Sequence, residues 1–191
     1  MMIGKLIIFS APSGSGKTTI VKYLLESGLP LEFSVSACSR APREGEVNGK
    51  DYYFLTVDEF KKKIDNNEFI EWEEVYPGNF YGTLRSELPR IWNNQNHVIF
   101  DIDVKGGIKM KSNFPENTLS IFVMPPSVEE LEKRLIGRST DNSETIRKRV
   151  DKAVYELQYS DKFDVVLIND NLQEAKTKGF KIVSEFIYQT A

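Results

Sequence analysis

One cysteine, Cys38, and one histidine, His97, are all that the 191-residue chain holds of the two commonest zinc ligands. A lone thiol excludes an internal disulfide and suits a reducing compartment, so the cytoplasm is expected. One residue of each type leaves no zinc site of the usual Cys/His kind. No run reaches the roughly 18 apolar residues of a membrane helix. No charged leader precedes an apolar stretch, so neither a membrane anchor nor a signal peptide is expected. No sign of charge dominates either: 25 Lys and Arg stand against 28 Asp and Glu, a net charge of −3. Nothing there draws the chain toward nucleic acid or an anionic membrane surface. Internal repeats, low-complexity tracts and long linkers are also lacking. A single domain over 1–191 is therefore expected, long enough for a substantial core.

What is present begins with short apolar runs at 6–9, 33–35, 98–102, 119–124 and 165–168. Helical patterns separate most of them. Strands that alternate with helices predict an α/β fold, a parallel sheet with helices on both faces. Thr56 stands three residues before Glu59, and Ser127 three before Glu130, which reads as two capping boxes opening helices. Leu172, Ala175, Ile182, Val183, Phe186 and Ile187 give the last helix one apolar face. Two regions break the alternation. Residues 37–85 are rich in Tyr, Phe, Gly and charge, with short β-like pieces at 52–54 and 69–75, and read as a small β-rich insertion. Residues 134–149 are polar, carry Arg134, Arg138, Arg147 and Arg149, and read as a lid rather than core.

The first apolar run leads into Ser10-Ala11-Pro12-Ser13-Gly14-Ser15-Gly16-Lys17-Thr18-Thr19. A strand feeding a glycine-rich loop that opens a helix is the phosphate-binding pattern G-x-x-x-x-G-K-[ST], with Ala11 at the first glycine position. Gly14 and Gly16 let backbone N–H groups approach phosphate oxygens with no Cβ in the way. The helix that follows turns its partly positive end to the same anions. Lys17 can reach the β- and γ-phosphates, and the Thr18 hydroxyl can ligate magnesium. The loop points to a nucleoside triphosphate and is silent on what receives the phosphate.

Residues 33–54, with Ser36, Arg40, Arg43 and Tyr52, resemble the guanylate kinase family. So do Glu68-Phe69-Ile70-Glu71-Trp72 and Gly78-Asn79-Phe80-Tyr81-Gly82-Thr83. The resemblance runs on through Phe100-Asp101-Ile102-Asp103, Arg134 to Thr140 and Ile168-Asn169-Asp170, so it spans the whole chain. Its chemistry can be read from the residues. Arg40 and Arg43 flank Pro42, and two guanidinium forks can chelate a monophosphate. The Tyr52 and Tyr81 hydroxyls can donate to its remaining oxygens. The Glu71 carboxylate offers two acceptors to the adjacent donors of guanine, N1–H and the 2-amino group, and Ser36 can donate to the 6-oxo group. Adenine would leave Glu71 unpaired, which discriminates strongly. The resemblance assigns these roles to Ser36, Arg40, Arg43, Tyr52, Glu71, Tyr81 and Thr83. Taken singly, each Arg or Glu would read as a solvated charge. Trp72, Trp92, Cys38 and His97 read as structural residues.

On the donor side, residues 98–101 resemble a Walker B strand, apolar residues ending in a carboxylate. Asp101 is the candidate for magnesium and Asp103 for the acceptor nucleotide, while either could instead close the strand end. Arg134, Arg138 and Arg149 match the family's lid arginines, and Arg147 reads as an exposed helical charge. Asn169 and Asp170 match a segment bordering adenine. The resemblance thus implies a P-loop kinase fold carrying a GMP-binding insertion and a lid. The implied activity is transfer of the γ-phosphoryl group of ATP to GMP or dGMP with Mg2+. Lys17, Arg40, Arg43, Arg138 and Arg149 would act on the moving phosphoryl group. The other readings are a catalytically inactive guanylate-kinase-like module that binds protein, and a kinase for another nucleoside monophosphate. The substrates expected are small molecules, with no nucleic acid or membrane partner. The oligomeric state, monomer or dimer, is not legible.

Overall fold

The computed structural model describes residues 4–137 and 143–189. The chain opens with β1 (Leu6–Ser10), α1 (Lys17–Leu25) and β2 (Leu31–Phe33). It then builds β3 (Ala37–Cys38), β4 (Tyr53–Phe54), α2 (Val57–Asp65), β5 (Phe69–Tyr76) and β6 (Asn79–Leu84). It continues through α3 (Glu87–Asn93), β7 (His97–Asp101), α4 (Val104–Asn113) and β8 (Thr118–Met124). Last come α5 (Val128–Ile136), α6 (Ser143–Leu157), β9 (Val165–Ile168) and α7 (Leu172–Tyr188).

Five strands form one parallel sheet in the order β2-β7-β1-β8-β9. Alternation along β1 divides the core in two. Ile7 and Phe9 face one way, against Ile20 and Leu24 of α1 and Val183 of α7. Leu6 and Ile8 face the other way, with Val98, Phe100, Ile91 of α3 and Met110 of α4. The run expected at 33–35 ends early as a strand. Ser34 N still donates to Ile99 O at 3.0 Å, but the Val35 N–H turns to the Glu87 carboxylate at 2.7 Å. The chain leaves the sheet there.

Residues between Ala37 and Leu84 make a second sheet, ordered β4-β3-β6-β5. Phe60 of α2 packs its ring against Phe69 and Phe80, with centroids 4.4 and 5.5 Å away. The capping box at α2 is complete, with Thr56 and Glu59 each bonded to the other's backbone. At α5 only half of the box forms. Ser127 accepts from Glu130 N, while the Glu130 carboxylate pairs with Arg134 Nε at 3.1 Å. The segment expected as a polar lid is helical on both sides of 138–142, in α5 and α6. Among the described residues no helix is long and apolar enough to cross a membrane.

Candidate active site

Parallel sheets bind ligands beyond the carboxyl ends of their strands, where neighbouring connections diverge. Here β1 lies between β7 and β8, and its loop emerges at that edge. Gly14 and Gly16 have φ of 94° and 88°, a region open to glycine at little cost. At Gly16 space is short as well, since a Cβ would lie 2.3 Å from Asn169 Nδ2. That amide nitrogen donates to Ser15 O at 2.7 Å and fixes the loop from behind.

The register pairs Phe9 with Asp101, so the carboxylate ending β7 lies beside the phosphate loop. Lys17 Nζ contacts Asp101 Oδ1 at 2.6 Å and donates to Ile102 O at 2.8 Å. Thr18 Oγ1 donates to Asp101 Oδ2 at 2.7 Å. A hydroxyl and a carboxylate oxygen side by side at the loop fit a hard cation such as magnesium. Asp103 is used differently. Its Oδ1 caps α4 by accepting Gly106 N at 2.8 Å, and its charge is felt at Glu71.

Glu71 on β5 is the buried carboxylate of the cleft, 4% exposed. Its Oε1 accepts the Thr83 hydroxyl at 2.7 Å from the paired strand β6. A Cβ on Gly106 would come within 2.9 Å of its Oε2, so a larger residue there would push on the carboxylate. Burial pushes the Glu71 carboxyl up to about 7; Thr83 pulls it down, and Asp103 pushes it further up. Such a carboxylate gains most from a ligand that brings hydrogen-bond donors.

The loop residues from Ala11 to Thr19, with Ser36, Arg43, Tyr52, Glu71, Tyr81, Asp101, Asp103 and Arg149, line one cleft. Arg40 stands behind that wall. Its guanidinium holds Glu46 through Nη1 at 2.6 Å and Nη2 at 2.7 Å, and its Nε donates to Tyr81 at 3.2 Å. It also lies over the Tyr52 ring at 4.9 Å. Arg40 holds the Glu46 carboxyl down at about 2. Thr83 is fully buried, with its hydroxyl on Glu71.

Arg134, Asn169 and Asp170 come together with one another rather than in the cleft. Arg134 Nη1 donates to Asn169 O at 3.1 Å, and Nη2 reaches Asp170 O at 3.5 Å. Arg138 lies outside the described residues, and Arg147 is exposed. His97 Nδ1 accepts the Lys5 N–H at 2.9 Å, and burial pushes its pKa down. Sequence reasoning missed Lys152 and Glu156, which line the cleft with Arg149. Their spacing of three and seven residues from Arg149 puts them on one helix face, which was the available signal.

Similarity to known proteins agrees with this geometry. The family model for guanylate kinase matches residues 3–187. A guanylate kinase of Bacteroides fragilis is 51% identical over 183 residues, 96% of this chain and 90% of that protein. One of Porphyromonas gingivalis is 50% identical over 184 residues, 96% of this chain and 98% of that protein. A solved guanylate kinase from Anaplasma phagocytophilum superposes with a TM-score of 0.79 at 32% identity, covering all of this chain and 89% of that one. With a phosphate loop and a buried carboxylate facing one cleft, and relatives alike over nearly their full length, the chain belongs to the guanylate kinase family.

Proposed function

We propose that the chain transfers the γ-phosphoryl group of ATP to GMP, or dGMP, giving ADP and GDP. The observation that carries this is the buried Glu71 carboxylate in the same cleft as the phosphate loop. Guanine offers Glu71 two adjacent donors, and Ser36 can serve the 6-oxo group. Arg43, Tyr52 and Tyr81, on the wall of that cleft, would hold the acceptor phosphate. Arg40, paired with Glu46, holds Tyr81 through its Nε and stacks on Tyr52, and would reach the acceptor phosphate only on leaving Glu46.

In the reaction an ionised oxygen of the GMP phosphate bonds to the γ-phosphorus. The bond from that phosphorus to the β–γ bridging oxygen breaks, and its electron pair stays on ADP. No proton has to move, so no general base is needed. Catalysis is alignment and charge neutralisation. Lys17 turns from Asp101 to the donor phosphates, and Arg149 adds charge from α6. Thr18 and Asp101 would hold magnesium, which when bound neutralises charge on the donor phosphate oxygens. Arg134, Asn169 and Asp170 would form the edge of the adenine site, and the 37–85 insertion and α6 would close over acceptor and donor. A buried Cys38 and the balanced charge suit a cytoplasmic enzyme of small-molecule substrates.

The test is ADP release with GMP, AMP, CMP and UMP as acceptors. GMP is expected to be favoured by at least about 100-fold, as a site built around substrate N–H donors allows. Equal turnover of AMP and GMP would refute the assignment.

A further inference from the structure

Outside the cleft, one group of charges ties the two sheets together. Glu87, the first residue of α3, is 1% exposed. Its carboxylate accepts four hydrogen bonds: Val35 N at 2.7 Å, Tyr53 Oη at 3.0 Å, and Arg90 Nε and Nη2, both at 2.8 Å. Arg90 closes the group toward solvent. Its Nη2 also donates to Phe33 O at 3.0 Å, and its Nη1 pairs with Glu32. Glu32 further accepts Asn94 Nδ2 at 3.0 Å and Asn96 Nδ2 at 3.1 Å. The network therefore spans β2 of the main sheet, the crossing that follows it, β4 of the second sheet, and α3.

Two of the anchored residues are next to acceptor-site residues. Val35 precedes Ser36, and Tyr53 follows Tyr52; both Ser36 and Tyr52 line the cleft. A backbone N–H and a phenol bonded to one fixed carboxylate cannot drift independently. An ion pair of this kind is weak evidence for net stability, because an apolar group of similar volume often does as well. What an apolar group cannot supply is direction: four donors converging on two oxygens fix the angle at which the chain leaves the main sheet. We infer that Glu87 is a positioning residue for the acceptor nucleotide, setting through Val35 and Tyr53 where Ser36 and Tyr52 stand. Arg90 and Glu32 hold Glu87 in that orientation. The inference rests on the acceptor site proposed above.

Steady-state kinetics on both substrates test it, together with amide hydrogen exchange, which needs no nucleotide. Glu87→Ala is expected to raise the KM for GMP roughly 10- to 100-fold, the scale of an ångström of misplacement. The KM for ATP should stay within about twofold, because the phosphate loop is anchored elsewhere. Glu87→Gln keeps an oxygen for the Val35 N–H and should recover part of the GMP KM. Tyr53→Phe leaves the Arg90 pair intact, so it folds, and should give a smaller rise in GMP KM alone. Exchange at 35–37 and 53–55 should quicken in Glu87→Ala while β1 and β8 stay protected. KM values for ATP and GMP rising in step would reduce Glu87 to a general stabilising residue and overturn the inference. An unchanged GMP KM in Tyr53→Phe, with Glu87→Ala unchanged or unfolded, would do the same. Wild-type protein inactive on GMP would sink the acceptor reading instead, and the exchange pattern would still judge the joint.

Discussion

Replacing Glu71 by Gln should make the nucleotide-free protein more stable while ruining it for GMP. The carboxyl is held at about 7, against an ordinary 4.5, chiefly by burial. A carboxyl raised in the folded state contributes stability that is fully present below the unfolded value and is lost as pH rises through the folded one. Above pH 7 the native protein therefore carries the full cost of a buried charge, about 3 kcal/mol. At pH 5 the same linkage leaves only about 1 kcal/mol. Gln keeps an oxygen for the Thr83 hydroxyl and removes the charge facing Asp103. The variant should thus melt about 6 to 12 °C higher than the parent at pH 8, and by a few degrees at most at pH 5. The same substitution sets an amide N–H against a guanine donor, so GMP turnover should fall sharply while AMP changes little or gains slightly. Thermal unfolding without nucleotide at the two pH values, with kinetics on both acceptors, reads each half. A variant that melts no higher at pH 8, or gains equally at pH 5, would refute the burial argument. An unaltered preference for GMP over AMP would show that Glu71 does not read the base.

Two further substitutions separate the halves of the cleft. Lys17→Met should abolish most turnover and leave GMP binding nearly intact by calorimetric titration, because Lys17 is bonded to Asp101 and Ile102 O beside the phosphate loop; complete loss of GMP binding in a folded variant would contradict two separate sites. Arg43→Ala removes a fork from the acceptor wall and should cost roughly 1.5–3 kcal/mol, about 10- to 150-fold in kcat/KM for GMP. Unchanged kinetics would take Arg43 out of the site.

The phosphate loop was legible because its chemistry is local: Gly14, Gly16, Lys17 and Thr18 are neighbours and carry their own signal. Three strands of the main sheet, β1, β7 and β8, were legible because each is a nearly unbroken apolar run buried on both faces; β9 is an apolar run although Val166 and Ile168 are exposed, and β2 lies at Leu31–Phe33, two residues before the run expected at 33–35. Within the second sheet the β-like pieces at 52–54 and 69–75 match β4 and β5, and the rest was visible only as a region. Strand β3 is two residues long, too short for any periodicity. Acceptor residues came from family resemblance, and the pattern could not say which face the cleft and which stand behind it. Arg40 pairs with Glu46, six residues on, a contact that the spacing alone did not announce. Glu87 drew no reading from the sequence, since its partners Val35 and Tyr53 lie 52 and 34 residues away. Trp72, read as a packing residue, is 37% exposed, with Lys109 Nζ 5.7 Å from its ring centroid.

The bond from Asn169 to Ser15 joins positions 154 residues apart. During synthesis the phosphate loop is made 154 residues before the amide that secures it. At about 5–20 residues per second this is a delay of roughly ten to thirty seconds. Through that interval the nascent chain carries the loop sequence without its brace, and β9 has not yet joined the sheet. Nucleotide binding should therefore appear late and abruptly in a stalled-chain series, with the arrival of Asn169, rather than growing from the loop onward. In this fold, competence for ATP is a report that the last strand has docked.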